Sequence, residues 1–396
     1  MITTNRWLLP EGIEEVLPPM AGQLDRICRR ILDLYTSFGY ELVIPPLIEY
    51  LESLLTGTGE DLELQTFKLT DQLSGRTLGV RADSTPQVVR IDVHNLKRRI
   101  PTRLCYMGPV LHTRPGSSGG ARELLQTGAE LYGSSSRESE AEIVVLMLKT
   151  LGCAGLENVH VDLGHVGIYR GITGKLRLTS EQEQILFDTL QRKAVAELRQ
   201  IIRLWSLPPA SGDTLLALLD LNGGVEVLDA ARAVLSGMSD EVLRSIEELQ
   251  QTALLVNNRY LNAPLYFDLA ELRGYHYYTG MSFAAYIPGQ GQGIAFGGRY
   301  DDIGKAFGMA RPAAGFSTDV RALHRLAAVP AAARTAGIFA PVSEDPGCQR
   351  MIETLRERNE IVLSKLPDQE GDAGEHGCDR ILVREQGEWM VKKLSS

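Results

Sequence analysis

The stretch RLCYMGPVLHTRPGSSGGARELLQTGAELYG, Arg103 to Gly133, predicts two long strands joined by a turn. Leu104 to Leu111 has the apolar content of a buried strand, and Thr113 to Gly120 contains the Pro, Gly and Ser residues typical of turns. Glu123 to Tyr132 alternates as a strand does. One face of this return strand carries Gln126, Gly128, Glu130 and Tyr132.

Glu130 is the residue of this stretch that needs an explanation, because a buried carboxylate destabilises a fold unless a partner satisfies it. One interpretation is that Glu130 pairs with an Arg of a neighbouring strand and serves only the core. The other is that Glu130 and Gln126 belong to a binding pocket, where carboxylates in unusual surroundings are common. The residues alone leave both interpretations open.

The composition is that of an ordinary globular protein with two or three domains. A chain of 396 residues exceeds one compact core, and its hydrophobic content of 44% and charged content of 23% are average. No apolar run approaches the ~20 residues of a membrane helix, and the N-terminus lacks a basic region followed by an apolar block. We therefore expect neither a membrane segment nor a secretory signal.

Cysteine, histidine and glycine patterns exclude several kinds of site. The five cysteines are scattered without a CxxC pair, so free thiols and a cytoplasmic location are expected. His376 near Cys378 is better explained by coincidence than by zinc. The glycine-rich segment 288–304 has Arg299 where a Walker loop needs Gly, so tight turns explain it. We predict no metal and no cofactor. The net charge of −9 does not favour binding to a phosphate backbone in general, although a local basic patch could still do so.

Hydrophobic spacing predicts the elements before this stretch. They are a helix at 22–38, a strand-like segment at 40–48 whose two prolines suit a sheet edge or an interface, a hairpin within 67–80, and a helix at about 86–96. The polar turn that leads into the last helix contains Asp83 and Ser84. Either residue is a candidate helix cap as well as a candidate site residue, and both interpretations remain open.

Residues 179–258 are predicted to form an all-helical insertion between strands. A capping box at Ser180 to Glu183 opens a helix that reaches Trp205. Two more helices are predicted in the insertion, at 225–235 and 240–257. Strands resume at 265, and a final helix is predicted at 317–328.

The domain prediction follows from these segments. Residues 1–329 form one domain that contains the insertion, Pro330 to Thr335 is a linker, and 336–396 is a small C-terminal α/β domain. This last segment carries 12 acidic and 8 basic side chains, which gives it a formal charge of −4. It is therefore poorly suited to gripping RNA.

Four stretches taken together resemble the catalytic core of histidyl-tRNA synthetase, a class II aminoacyl-tRNA synthetase. They are FGYELVIPPLIE at 38–49, VRADST at 80–85, residues 110–133, and LRGYHYYTG at 272–280 with GGRYDDIGKAFG at 297–308. The likeness covers about residues 5–328, and its most specific part is the last pair. It implies an α+β fold with a six- or seven-stranded antiparallel sheet flanked by helices, and a dimer formed through residues 38–49.

The resemblance also implies a pocket for histidine. Asp83, where the family has Glu, and Thr85 match the residues that hold the amino group. Gln126 and Arg273 match those that hold the carboxylate. A free amino acid presents an ammonium and a carboxylate, so one acid and one Arg suit it.

The imidazole side of this pocket is matched by Glu130 and Tyr278, and Tyr277 matches a pocket wall. The ring of histidine offers two nitrogen sites, which explains why two polar contacts are needed there. The amino-acid half of the synthetase site is therefore expected to be intact.

The nucleotide half departs from the family. The motif 2 sequence FRxERP becomes VLHTRP, which puts Leu111 where the α-phosphate Arg belongs and Thr113 where a Glu belongs. A second phosphate Arg aligns with about Gly120, and the motif 3 Arg is replaced by Ala322. Arg321, one residue earlier on a helix, would point about 100° away.

These losses have a large expected effect. One charge-assisted bond contributes about 1.5 to 3 kcal/mol. Losing two or three of them would cost roughly 3 to 9 kcal/mol, or two to six orders of magnitude in rate. Adenylate formation should be effectively absent.

The short acidic C-terminal segment differs from the larger anticodon-binding domain of the synthetases. The whole chain resembles the regulatory subunits of ATP phosphoribosyltransferase, the first enzyme of histidine biosynthesis. This implies a non-catalytic subunit that joins a short catalytic subunit in a hetero-oligomer, with histidine as effector and no nucleic acid. Two alternatives remain, an active adenylate-forming synthetase and an RNA-binding module with the synthetase shape.

Overall fold

The computed structural model describes residues 7–57, 59–115, 120–261, 263–272, 274–275, 277–327 and 337–394. The chain divides into two compact units, Met1–Glu15 with Leu24–Ala328, and Val16–Gln23 with Val329–Ser396. The predicted linker, Pro330 to Thr335, lies outside the described residues. In the described part of the chain, no helix is long and apolar enough to cross a membrane.

The strands of the larger unit form one large sheet and one small sheet. They are β1 Glu41–Leu42, β2 Ile48–Tyr50, β3 Phe67–Thr70, β4 Thr77–Val80, β5 Thr102–Leu111, β6 Glu123–Tyr132, β7 His160–His165, β8 Asn222–Gly223, β9 Leu265–Asp268, β10 Met281–Tyr286, β11 Ala295–Arg299 and β12 Ala313–Asp319. The hairpin of β3 and β4 confirms the prediction, and β2 joins it in a three-stranded sheet.

Helices lie between these strands along the chain. They are α1 Met20–Ser37, α2 Leu51–Leu54, α3 Glu60–Gln65, α4 Thr85–Arg90 followed by a π-helix Ile91–Leu96, α5 Arg137–Cys153, α6 Val166–Leu176, α7 Ser180–Gln191, α8 Val195–Leu204, α9 Pro209–Asp220, α10 Val227–Val234, α11 Asp240–Arg259, α12 Ile303–Ala306 and α13 Val320–Leu326. The helix predicted at 86–96 is therefore an α-helix that continues as a π-helix.

A nine-stranded sheet forms the centre, in the order β1-β5-β6-β12-β11-β10-β7-β9-β8. Its six central strands, from β5 to β7, are antiparallel, as expected for a class II synthetase-like α+β fold. β1 and β9 add parallel pairs at the two sides, with β8 beyond β9. The sheet has two strands more than the upper expected number of seven. β1 lies within the strand-like segment predicted at 40–48, whereas the two-residue strand β8 was not predicted.

The β5–β6 hairpin has the strands predicted for the 103–133 stretch. Its register pairs Leu104 with Glu130 and Tyr106 with Gly128. The return strand has the predicted bounds, and Leu104, Tyr106, Ala129 and Leu131 are buried. Both strands lie inside the nine-stranded sheet, and strands inside a covered sheet are usually apolar, which explains the composition of this stretch.

The helical insertion differs from the prediction in detail. Its capping box uses Thr179 and Gln182, one residue before the predicted pair, and α7 ends at Gln191 instead of reaching Trp205. Lys193 adopts a positive φ of 51° and separates α7 from α8. The prediction also missed α9, which begins at Pro209 with proline in the tolerated first turn.

The end of the large unit was also mispredicted. Ser317 to Asp319 continue β12, because that strand pairs with β6 on one side and β11 on the other. The helix begins only after Asp319, whose carboxylate accepts hydrogen bonds from the backbone N–H groups of Arg321 and Ala322. Pairing with strands on both sides keeps these residues extended, although their local sequence pattern favours a helix.

The smaller unit contains an α/β sheet. Its strands are β13 Gly337–Ala340, β14 Val362–Ser364, β15 Cys378–Glu385 and β16 Glu388–Lys393, in the order β14-β13-β15-β16. Helix α14, Pro346–Glu357, covers one face with Cys348 and Ile352. Asp345 caps this helix and also accepts a hydrogen bond from Trp389.

Candidate functional site

Small residues form the floor of a cavity on one face of the large sheet. The registers of β6, β12, β11 and β10 place Glu130, Gly315, Gly298 and Ser282 side by side across four strands. Neighbouring strands lie about 4.8 Å apart, so this row spans roughly 14 Å. A Cβ atom at Gly315 would lie 1.5 Å from an oxygen of Glu130, so this position must be glycine.

A cavity of about 300 Å³ lies above this floor, between the sheet and the loop at 271–280. Its described lining consists of Asp83, Thr85, Glu130, Glu271, Gly274, Tyr277, Tyr278, Ser282, Phe283, Ala284, Phe296, Gly297, Tyr300, Gly315, Phe316 and Ser317. Its size is that of a small-molecule site. Five of the seven predicted histidine-binding residues are among these.

Glu130 is satisfied by hydroxyl groups within the described structure. Its carboxylate is 1% exposed and accepts hydrogen bonds from Thr85 and Tyr106, both at 3.2 Å, and from Tyr300. The interpretation that Glu130 pairs with an Arg of a neighbouring strand is therefore not what the described residues show. Among the described residues, three neutral donors contact the carboxylate and no cation pairs with it.

The protonation of Glu130 follows from this environment. Burial raises the pKa of Glu130 to about 8, although the hydroxyls of Tyr300, Tyr106 and Thr85 favour its ionised form. Because the folded value lies above the ordinary value of 4.5, this group stabilises the free protein most at low pH. That contribution is lost as the pH rises through about 8.

Asp83 lines the cavity near Glu130, since the hydroxyl of Thr85 lies 3.2 Å from an oxygen of each carboxylate. Its Oδ1 accepts hydrogen bonds from the backbone N–H of Thr85 at 3.0 Å and from Nε2 of Gln126 at 2.8 Å. Oε1 of Gln126 in turn accepts from the N–H of Ser84 at 2.9 Å. Asp83 therefore holds the start of α4 and lines the cavity as well, whereas Ser84 makes no side-chain cap.

The loop at 271–280 brings Tyr277 and Tyr278 to the cavity. Their rings lie 5.3 Å apart, and Tyr277 also lies 5.1 Å from the ring of Tyr300. Gly274 has a φ of 68°, and a Cβ there would meet the ring of Tyr278. The predicted carboxylate ligand Arg273 lies outside the described residues.

Within the described residues, two hydroxyls that border the cavity are buried without a hydrogen-bond partner. They are Oγ of Ser282 and the phenolic oxygen of Tyr277. Buried polar atoms in folded proteins usually have a partner, so these two are available to a polar ligand. Ser282 was not among the predicted site residues.

The sequence-based set also missed Tyr106, Tyr300 and Glu271. Tyr106 lies opposite Gly128 on the neighbouring strand, which a β5–β6 register would have revealed. Tyr300 belongs to the GGRYD motif and could have been inferred from it. Glu271 lies in the loop before Arg273 and gives no separate signal.

Two arginines close in sequence to motifs 2 and 3 are engaged locally. Arg321 pairs with Glu123 at 3.0 Å, and Arg122 donates to the carbonyl of His112 at 3.1 Å. The described lining of the cavity contains three carboxylates and no lysine or arginine. Nor do the described residues include a cluster of His, Cys, Asp or Glu that could hold a metal ion. This wall attracts cations and N–H donors and repels polyphosphate.

Comparisons with known proteins identify the family and the fold of the chain. A family model for histidyl-tRNA synthetase matches residues 12–323. A second model, described as the ATP phosphoribosyltransferase subunit HisZ C-terminal domain, matches residues 335–392. Similar solved structures include an ATP phosphoribosyltransferase regulatory subunit/histidyl-tRNA synthetase from Bacillus halodurans, with a TM-score of 0.83 and 25% identity over 94% of this chain and 96% of that one. A histidyl-tRNA synthetase from Nostoc sp. PCC 7120 shares the fold, with a TM-score of 0.78 and 17% identity over 95% of this chain and 91% of that one.

Curated relatives match over full length. An ATP phosphoribosyltransferase regulatory subunit from Thioalkalivibrio sulfidiphilus is 54% identical over 100% of both chains. Proteins of the same description from Azotobacter vinelandii and Ectopseudomonas mendocina are 52% and 51% identical, again over 100% of both chains. These proteins are regulatory and not catalytic subunits. The chain therefore belongs to the family of ATP phosphoribosyltransferase regulatory subunits.

Proposed function

We propose that this chain is the histidine-sensing subunit of a hetero-oligomeric ATP phosphoribosyltransferase and that free histidine occupies the cavity above β6 and β12. It acts on the first step of histidine biosynthesis through a short catalytic subunit and forms no adenylate itself. Five free cysteines suit a reducing compartment, which supports the cytoplasm as the place of action.

One observation carries this proposal, the charge of the cavity. Its described wall combines Asp83, Glu130 and Glu271 with no lysine or arginine. Histidine offers an ammonium and a ring N–H, which are the groups that such a wall can hold. Arg273, as the resemblance implies, would supply the counterpart for the carboxylate.

Glu130 would receive the ring of the ligand. A ring N–H needs an acceptor, and Glu130 becomes one fully only when it ionises. Its pKa of about 8 then makes binding release a proton at neutral pH. Burial of the carboxylate therefore links histidine binding to pH.

The regulatory effect would arise from two quaternary states. If histidine binds one of them more tightly, it shifts the equilibrium of the partner enzyme by the ratio of its two affinities. Couplings of this kind are typically about 1 to 3 kcal/mol.

Self-association of the chain is part of the proposal. The segment 38–49 and the neighbouring three-stranded sheet expose several large apolar side chains, namely Leu42, Ile44, Leu47, Ile48, Tyr50 and Leu69. Apolar surface of this extent around one sheet favours burial against a second copy. Native mass spectrometry of the chain, alone and with a short-form ATP phosphoribosyltransferase, with and without histidine, should show both a dimer and a mixed assembly.

Calorimetry with L-histidine tests the pocket. We expect wild-type binding to tighten about fivefold from pH 7 to pH 8, because the ionised fraction of Glu130 rises by that factor. Glu130→Gln should bind more weakly and lose this pH dependence, and Arg273→Ala should also bind more weakly.

The control is Glu142→Gln, since Glu142 is a partly buried carboxylate that bonds to Arg103 and Tyr40 away from the cavity lining. It should leave both affinity and pH dependence unchanged. Micromolar histidine binding that neither Glu130→Gln nor Arg273→Ala weakens would reject the pocket assignment.

A further inference from the structure

The loop at 271–280 has a second side that faces helices instead of the cavity. Tyr277 and Tyr278 line the cavity, whereas the side chain of Tyr275 lies between α6 and α7. Its ring lies 5.0 Å from Tyr169 on α6, edge to face at 89°, and 5.5 Å from Phe187 on α7. Tyr275 therefore joins the roof of the cavity to the first helix of the insertion.

The hydroxyl of Tyr275 makes this contact directional. It donates to Oε1 of Glu183 on α7 at 3.0 Å. Burial, together with the Glu183 carboxylate, raises the pKa of Tyr275, so the hydroxyl remains the donor. A hydrogen bond to a charged acceptor is stronger than one between neutral groups.

Arg170 on α6 grips the backbone of the same loop. Its Nη2 donates to the carbonyl oxygens of Tyr275 at 3.2 Å and Tyr278 at 2.9 Å. Its guanidinium carbon also lies 5.1 Å from the centre of the Tyr275 ring. One cation thus holds both the residue that faces the helices and a residue that faces the cavity.

The turn between these residues is short and hydrogen-bonded. The N–H groups of Tyr277 and Tyr278 donate to the carbonyl of Gly274 at 2.8 and 2.7 Å. If this turn moves as a unit, a shift of Tyr278 at the cavity also displaces Tyr275. Packed side chains with few alternative arrangements transmit such shifts.

We propose that Arg170, Tyr275 and Glu183 are positioning residues that couple occupancy of the cavity to α7, so that the helical insertion carries the signal of bound ligand. None of the three belongs to the described lining of the cavity. This inference rests on the proposed histidine site. It adds that the helices at 180–259 respond when histidine binds there.

Calorimetry with histidine on the full chain measures the coupling. We expect Tyr275→Phe, which removes only the hydroxyl, and Glu183→Gln to weaken histidine binding on the order of fivefold, the lower range for linked sites. Arg170→Met should weaken it more, and Arg170→Lys should recover part of the loss because it keeps a donor.

Matched controls come from the same unit. Tyr266→Phe loses a hydroxyl bond to Asn222 of 2.9 Å, and Arg259→Met loses a bond to the carbonyl of Glu138 of 3.0 Å. Neither contact involves the loop. Both controls should bind histidine as the wild type does.

Hydrogen exchange separates coupling from simple stability. Histidine should slow exchange in α7 of the wild type and of Tyr266→Phe, and this protection should be absent in Tyr275→Phe. A purely structural role would change exchange equally with and without histidine. Wild-type affinity in Tyr275→Phe, or no histidine-induced protection of α7 in a wild type that binds histidine, would overturn the inference.

A failure of the histidine assignment gives a different result. If the wild type does not bind histidine, the proposed function fails, and the coupling is then tested without ligand. Glu183→Gln should speed exchange of the Tyr277 and Tyr278 amides compared with the wild type and Tyr266→Phe. Unchanged exchange at both amides would overturn the coupling as well.

Discussion

Strand β6 carries a glutamate near each end, and the two glutamates have different kinds of bonding partner. Glu130 is buried at one end, where Thr85, Tyr106 and Tyr300 donate hydroxyls to it and no described cation reaches it. Glu123 at the other end pairs with Arg321 at 3.0 Å. A carboxylate without a counterion can still receive a ligand, whereas a paired one cannot do so without breaking its ion pair.

This difference divides strand β6 into a receptive half around Glu130 and a closed half around Glu123. The receptive half contains Glu130, with which no described cation pairs. In the closed half, Leu111 and Ala322 stand where the resemblance to the synthetases implies phosphate-binding arginines, and Arg321 pairs with Glu123.

The largest expected effect concerns the closed half. Histidine-dependent exchange of pyrophosphate into ATP should be at least about a hundredfold slower than for a histidyl-tRNA synthetase assayed in parallel, because two or three charge-assisted phosphate bonds are missing. The blank is the same reaction without histidine. Exchange clearly above that blank would show that the closed half still supports adenylate formation.

The next effect concerns the receptive half. Gly315→Ala places a methyl group where an oxygen of Glu130 now lies, so Glu130 must move. Losing one charge-assisted contact to the ligand should weaken histidine binding about a hundredfold in calorimetry. Gly291→Ala is the control, because no atom lies within 4 Å of its added Cβ.

Circular dichroism of both glycine variants shows whether they fold. Should Gly315→Ala not fold, Glu130→Gln tests the same half without a steric clash. Unaltered histidine affinity in a folded Gly315→Ala would mean that Glu130 does not contact the ligand.

The smallest effect concerns an orphaned hydroxyl that borders the cavity, as Glu130 does. Ser282→Ala should stabilise the free protein by about 1 kcal/mol in urea denaturation, because it removes a buried hydroxyl without a partner. Ser245→Ala is the matched control, since its buried hydroxyl bonds to the carbonyl of Glu241 at 2.9 Å. The control should lose stability. A loss in Ser282→Ala as well would show that the protein itself satisfies this hydroxyl.

Prediction from sequence worked where local pattern and final pairing agree. The alternation of Glu123 to Tyr132 gave the bounds of β6 and put Gln126 and Glu130 on one face, because a strand side chain points to a face by its position alone. It failed at the end of α7, since Lys193 takes a positive φ without any glycine to signal it. It failed again at Ser317, whose strand conformation depends on both neighbouring strands.

The sequence by itself determined which charges this protein has at its site. It placed Glu130 in an alternating strand, and it has Leu111 and Ala322 where the resemblance to the synthetases implies arginines. Both follow from residue type at a position and do not depend on the folded arrangement.

Only the tertiary structure decided which groups meet. Tyr106 and Tyr300 lie 24 and 170 positions from Glu130, yet the folded sheet brings their hydroxyls onto its carboxylate. The same folding lays Tyr275 against Glu183, 92 positions earlier. Contacts between distant segments depend on strand register and helix packing, and these are set by the whole core and not by any one stretch.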